Sequence, residues 1–251
     1  MQLPELVSYL QALMQPELVR DYCPNGLQVA GRSNIQKIVT GVSANQALLD
    51  ASITANADAI LVHHGYFWKG EVQTLTGMKK KRLATLLKND VSLFAYHLPL
   101  DTHAELGNNV QLAQRLGIDI TGTHEVDGVR GLFFEGRLQT PSTSEHFATH
   151  IQNILSRAPL HIPGSDKPIE TLAWCTGGAQ RYIEKAVELG VDAYITGEAS
   201  EQTVHVAREM GLHFYAAGHH ATERYGVQAL GKHLADKFSI EHEFIDIDNP
   251  V

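Results

Sequence analysis

The chain has 251 residues, of which 43% are hydrophobic and 19% charged, with a formal net charge of −8 and two cysteines. That length holds one large α/β domain or two smaller ones, and the composition excludes a disordered or collagen-like chain. The acidic balance argues against a generic nucleic-acid or anionic-membrane surface, because such binding rests on excess Lys and Arg.

Cys23 and Cys175 stand alone with no C-x-x-C pair, so neither a disulfide framework nor a cysteine-rich zinc site is suggested, and a reducing compartment fits. The opening MQLPELVSYLQALMQPELVRDY carries Glu5 and Glu17 and lacks the basic start and long apolar run of a signal peptide. No later run approaches membrane-spanning length, and the expected location is the cytoplasm.

In chain order, residues 35–40 (IQKIVT) read as a strand, 45–56 as a helix, and 59–62 as a short buried strand ending at His63, which makes a β-α-β unit. Residues 77–89 read as a helix, 91–96 as an apolar strand, and 106–116 as a helix closed by Gly117. This alternation predicts parallel-sheet architecture. From about residue 126 the pattern changes: FFEGRL reads as a strand, 144–156 as a helix and HIPGSDKP as a loop. The expected domains are 1–125 and 126–251.

The second half then repeats the first. TLAWCTGGAQRYIEKAVELGVDAYITGE follows the order strand, glycine, helix, Asp-Ala, strand of IVTGVSANQALLDASITANADAILVHHG, with Asp58-Ala59 answering Asp192-Ala193. Downstream, SLFAYHLPLDTH and LHFYAAGHHATE each run an apolar strand into a His with an acid four residues later, so His97 and Asp101 mirror His219 and Glu223. An internal duplication would aim two equivalent strand ends at a common cleft.

His63 and His64 stand where a buried strand ends before Gly65, although a continuing strand would send neighbouring side chains to opposite faces. His219 and Glu223 are spaced to share one face of a first helical turn, and Pro99 predicts a fixed loop carrying Asp101. Imidazole with carboxylate suits first-row divalent metals. Three His and two acids exceed what one catalytic ion with an open position takes, and fit two ions about 3.5 to 4 Å apart.

LVHHGYFWKG, AYHLPLDTHAELGNN, YITGEASEQTVHVAREMG and AAGHHATERYGVQAL together resemble the GTP cyclohydrolase I type 2, or Nif-three-like, family in its compact bacterial form, as do DYCPNGLQVAG and EFIDIDNP. The resemblance covers nearly the whole chain. It implies two similar three-layer α/β domains with exchanged elements, a ring-shaped homohexamer, and metal ligands at His63, His64, Asp101, His219 and Glu223. One departure is CTGGAQ (175–180), where the family more often has a Gly-Ser-Gly-like run. Its glycines fit a tight strand-to-helix turn, and their amides also suit an anion.

Around the ligands, His97, His103, Glu198 and His205 are candidates to orient them, with His205 fitting a helix surface equally well. Glu198 or His97 is the expected proton acceptor. Trp68 and Lys69, in the aromatic run with Tyr66 and Phe67, are expected either to meet a nucleobase and phosphate or to pack at an interface. Arg130 and Arg224 invite the same two readings. The expected function is a metal-dependent hydrolase of a nucleotide-like small molecule, using two divalent ions per subunit (zinc, iron, manganese, nickel or magnesium), with GTP ring opening and formate release as the reaction that the resemblance implies. A dinuclear phosphoesterase and a metal-stabilised, non-catalytic scaffold are the alternatives.

Overall fold

Residues 1–251 are described by a computed structural model, in which the chain forms two units, Met1–Gly107 with Gly226–Asp248, and Asn108–Tyr225 with Asn249–Val251. The division at Gly107 and the return at Gly226 replace the expected boundary at 125/126.

The first unit contains α1 (Leu3–Met14), β1 (Gly26–Val29), β2 (Lys37–Ser43), α2 (Gln46–Thr54), β3 (Ala59–His64), α3 (Gly77–Asn89), β4 (Ser92–Ala95) and α4 (Leu98–Thr102). Its sheet runs β1-β4-β3-β2 and then β11 (Glu241–Phe244), which returns from the end of the chain to pair in parallel with β2. Successive strand residues serve opposite faces. Ile38, Leu61 and Phe94 join a core with Leu6 and Leu10 of α1 and with Leu230 and Leu234. Val39, Ile60 and Leu93 join another with Leu48 and Leu49 of α2 and Leu83 and Leu86 of α3. The result is three layers, with helices on both faces of a largely parallel sheet.

The second unit contains α5 (Asn108–Leu116), β5 (Ile118–Val126), β6 (Val129–Ser142), α6 (Ser144–Leu155), β7 (Leu160–Ile162), β8 (Ile169–Trp174), α7 (Ile183–Leu189), β9 (Ala193–Thr196), α8 (Glu201–Met210) and β10 (His213–Ala216). Its sheet order is β5-β6-β8-β9-β10-β7, with β8, β9 and β10 parallel. The helix α9 (His219–Phe238) begins in this unit and passes at Gly226 into the first. Physically, the boundary moved because β5 is one arm of a hairpin with β6, from Ile118 opposite Leu138 to Val126 opposite Val129. Residues 108–125 therefore belong to the second unit, while β11 and the part of α9 from Gly226 onward belong to the first.

The duplication is visible in one repeated device. Asp58 Oδ2 accepts hydrogen bonds from the backbone N–H groups of Gln36 (2.8 Å) and Lys37 (3.0 Å) at the start of β2. Asp192 Oδ2 does the same for Glu170 (3.0 Å) and Thr171 (2.9 Å) at the start of β8. In each repeat one carboxylate, just before the second parallel strand, satisfies the donors that open the first. Asp58 also pairs with Arg32 at 3.0 Å.

Replacing Asp58 or Asp192 by Ala leaves two backbone donors unpaired, and each change is expected to lower unfolding free energy by about 1–3 kcal/mol in urea titrations. A loss under about 0.5 kcal/mol at both positions would contradict this role.

Candidate functional site

All the expected ligands lie at carboxyl ends of parallel strands or just beyond them, where open α/β sheets place their sites. In the first unit, β3 extends through His63 and His64, two residues further than the apolar run suggested. Their rings nevertheless lie 4.6 Å apart between centroids. They are the last two strand residues, and the chain turns at Gly65, where a Cβ would come within 2.5 Å of the Ala95 side chain and would also strike Gln28.

His63 is fully buried and its Nδ1–H donates to the Tyr96 carbonyl at 2.9 Å, which commits that nitrogen and directs Nε2 to within 3.5 Å of Asp101 Oδ1. His64 Nδ1 shares a hydrogen bond with Ser43 Oγ at 3.0 Å. Asp101 is buried, and it stands in the one-turn helix α4 rather than in the expected loop. Pro99 occupies the first turn of α4, where a proline's missing N–H costs nothing and its fixed φ suits the helix.

His97, also buried, caps the start of α4 with its backbone. Its Nδ1–H donates to Asp21 Oδ1 at 2.9 Å, and Asp21 Oδ2 accepts from the Leu98 N–H at 3.0 Å and from Asn25 at 2.9 Å. One ligand atom from each of His63, His64 and His97 lies within 4.8 Å of the others. Trp68 stands edge-on to His97 at 5.1 Å, with Tyr22 at 5.1 Å on the same ring. Lys69 is exposed, and Tyr66 is instead a core residue whose hydroxyl donates to the Ala44 carbonyl at 2.7 Å.

The second unit repeats the pattern. His219 opens α9, its Nδ1–H donates to Glu198 Oε1 at 2.6 Å, and its Nε2 lies 3.2 Å from Glu223 Oε2. Glu198, just after β9, is thus the group that holds His219. Burial alone would lower the His219 pKa, but the hydrogen bonds and charges of Glu223 and then Glu198 outweigh it and raise it to about 9. A cation binding there at neutral pH has to displace that proton.

Gly177 and Gly178 of the CTGGAQ turn do more than turn the chain. At Gly177 (φ +70°) a Cβ would collide with the Glu223 carboxylate and come within 3.2 Å of His219 Nε2. Its N–H donates to Thr222 Oγ1 at 3.0 Å, which ties the turn to the first turn of α9.

Among the remaining candidates, His103 Nδ1 accepts from the Glu105 and Leu106 N–H groups in a turn, and His205 is an exposed helix residue 3.6 Å from Glu201. Arg130 is exposed against Glu125, and Arg224 donates to the Leu155 carbonyl at 2.6 Å. Asp21 is the partner of His97 that sequence reasoning missed. The only hint was its position in DYCPNGLQVAG, and 76 residues separate it from His97.

Buried imidazole and carboxylate groups at the strand ends of two α/β sheets define a protein equipped to hold divalent metal ions. Residues 1–250 match the family model described as Duf34/NIF3 (NGG1p interacting factor 3). A relative from Pseudomonas aeruginosa named "GTP cyclohydrolase 1 type 2 homolog" is 56% identical over 248 residues, covering 99% of this chain and 98% of its own. One of the same name from Vibrio cholerae is 53% identical over 249 residues, with 98% of each covered. The solved structure "protein ybgI, unknown function" is 50% identical over the whole of both chains, with a TM-score of 0.96. The chain belongs to the DUF34/NIF3 family.

Burial would raise the Asp21 pKa, but the hydrogen bond and charge of His97, then the bonds from Asn25 and Leu98, outweigh it and lower it to about 2. A depressed carboxylate stabilises the fold above its unfolded pKa of about 4, and that contribution is lost as pH falls through about 2. Asp21→Asn is therefore expected to cost about 2 kcal/mol at pH 7 and to flatten the acid limb of the stability profile between pH 4 and 2. An unchanged acid limb in the variant would show that the His97 pairing contributes nothing.

Proposed function

We propose that the protein is a metal-dependent hydrolase in which His63, His64, Asp101, His219 and Glu223 hold two divalent ions per subunit, drawn from zinc, iron, manganese, nickel or magnesium. The observation that carries this reading is the committed Nδ1 in each repeat. His63 and His219 each give Nδ1–H to an oxygen acceptor and turn Nε2 toward a buried carboxylate. Metal-ligating histidines are oriented in this way, and the donor set suits first-row divalent ions. Three imidazoles and two carboxylates outnumber the ligands of one catalytic ion with an open position.

Such ions, when bound, act as Lewis acids and make water nucleophilic at neutral pH. The chain's own groups do the rest. Asp21 fixes the His97 tautomer, so that Nε2 is the nitrogen left to take or give a proton beside His63 and His64. Glu198 is occupied in orienting His219, which makes His97 the better proton carrier of the two. Trp68 offers a ring near His97 and His64 for a nucleobase, and Lys69 an exposed cation for phosphate.

The substrate class in this reading is a nucleotide-like small molecule. The relatives are named GTP cyclohydrolase 1 type 2 homologs, and the reaction we propose on that likeness is opening of the GTP imidazole ring with release of formate. Assembly as a homohexamer and a cytoplasmic setting belong to the same proposal. No helix is long and apolar enough to cross a membrane.

The test is metal content per chain for the wild type and Glu223→Ala, with formate and phosphate release followed over a set of nucleotides. The expected result is about two ions in the wild type, loss of metal in the variant, and metal-dependent formate release. Phosphate in place of formate would make the protein a phosphoesterase. Full metal loading with no turnover of any nucleotide would favour the scaffold, and no metal after reconstitution would sink the proposal.

A further inference from the structure

Arg157, in the second unit, is explained by neither the fold nor the ligand set. It follows the C-cap of α6, where a cation could serve the last carbonyls. Two of those carbonyls are already served: Arg224 donates to the Leu155 carbonyl at 2.6 Å, and the cap N–H of Ser156 reaches Gln152. The Arg157 guanidinium has no hydrogen bond or ion pair, and its Nε is shielded from solvent without a partner. By contrast, Arg32 is paired with Asp58 and Arg181 with Asp127. A half-buried guanidinium with no counter-ion carries a desolvation cost that an oxyanion would relieve.

Arg157 also has a prepared place. Gly218, with φ +101°, lies immediately before His219, and a Cβ there would come within 2.6 Å of Arg157 Nε and 2.7 Å of Cδ. The bare backbone at Gly218 lets the arginine stem lie against the turn that launches the metal-ligand helix. Arg157, Leu160, Gly197, Glu198 and Ala216 border a cavity of about 550 Å³. That volume falls within the range of small-molecule sites. Glu198 is the carboxylate that receives the His219 N–H, so the cavity adjoins a proposed ligand. Its negative charge is engaged with that ring, and the carboxyl group of Val251, which also borders the cavity, accepts the His220 N–H at 3.1 Å.

We propose that this cavity receives a phosphate group of the substrate and that Arg157 is its recognition residue. The proposal rests on the hydrolase reading for its choice of phosphate among oxyanions. A guanidinium presents paired N–H donors that match two phosphate oxygens, which an ammonium group cannot do with the same geometry.

The test is calorimetric titration of the full-length protein, both metal-free and metal-loaded, with inorganic phosphate, GMP, guanosine and acetate. Wild type, Arg157→Gln and Arg157→Lys are compared, with metal content and circular dichroism read in parallel. The expected result is that Arg157→Gln weakens phosphate and GMP about tenfold or more, in the metal-free form as well, while Arg157→Lys loses less. Guanosine binding and metal content should stay at wild-type values. The pocket is overturned by unchanged phosphate and GMP affinity in a folded Arg157→Gln variant, by absence of phosphate binding in the wild type, or by acetate binding as tightly as phosphate. If metal loading and turnover survive such a result, the hydrolase stands without the pocket. Arg157-dependent phosphate binding in a protein that takes up no metal would keep the pocket and remove the hydrolase.

Discussion

An imidazole ring can give a lone pair to a cation only from the nitrogen that does not carry the proton, so a histidine ligand depends on what its other nitrogen touches. Here that choice is made by backbone and carboxylate oxygens. The Tyr96 carbonyl settles it for His63, Asp21 for His97 and Glu198 for His219. Each acceptor is held in turn by the fold: Tyr96 follows β4, Asp21 accepts three further N–H bonds, and Glu198 follows β9. The orientation of these imidazoles is therefore set one layer away from them, by oxygen atoms whose positions the sheets determine.

The two sheets produce this arrangement because they repeat one plan. Asp58 and Asp192 bind the same pair of backbone donors in their respective units, which fixes how two parallel strands start and hence where they end. At the far ends, β3 and β4 present His63, His64 and His97, while β9 and β10 lead to Glu198 and His219. The repeats are not identical. The first has two adjacent histidines at a strand end where the second has Gly197 and Glu198, and the second uses Gly177 to bring backbone close to Glu223 where a side chain would collide.

Much of this was legible in the sequence wherever the signal was local. Short apolar runs marked the strands, Asp-Ala marked the repeat, and the four-residue spacing of His219 and Glu223 marked a shared helix face that the structure contains. What escaped was set by distant partners. The domain boundary depends on the hairpin of β5 with β6 and on the return of β11 to β2, neither of which leaves a trace in local periodicity. Pro99 reads as a helix breaker until its place in the first turn is known. Asp21 and Arg157 look like ordinary surface charges, since the groups that give them meaning, His97 and Gly218, lie far along the chain.

The central proposal is that His63, His64, Asp101, His219 and Glu223 hold a pair of divalent ions. X-ray absorption at the metal edge of the loaded protein tests it most directly, because it reports the ligand atoms and the nearest heavy neighbour together. The account predicts mixed imidazole and oxygen scattering with a second metal at about 3.5 to 4 Å. A spectrum with an all-oxygen shell, or with imidazole ligands and no metal neighbour, would contradict it.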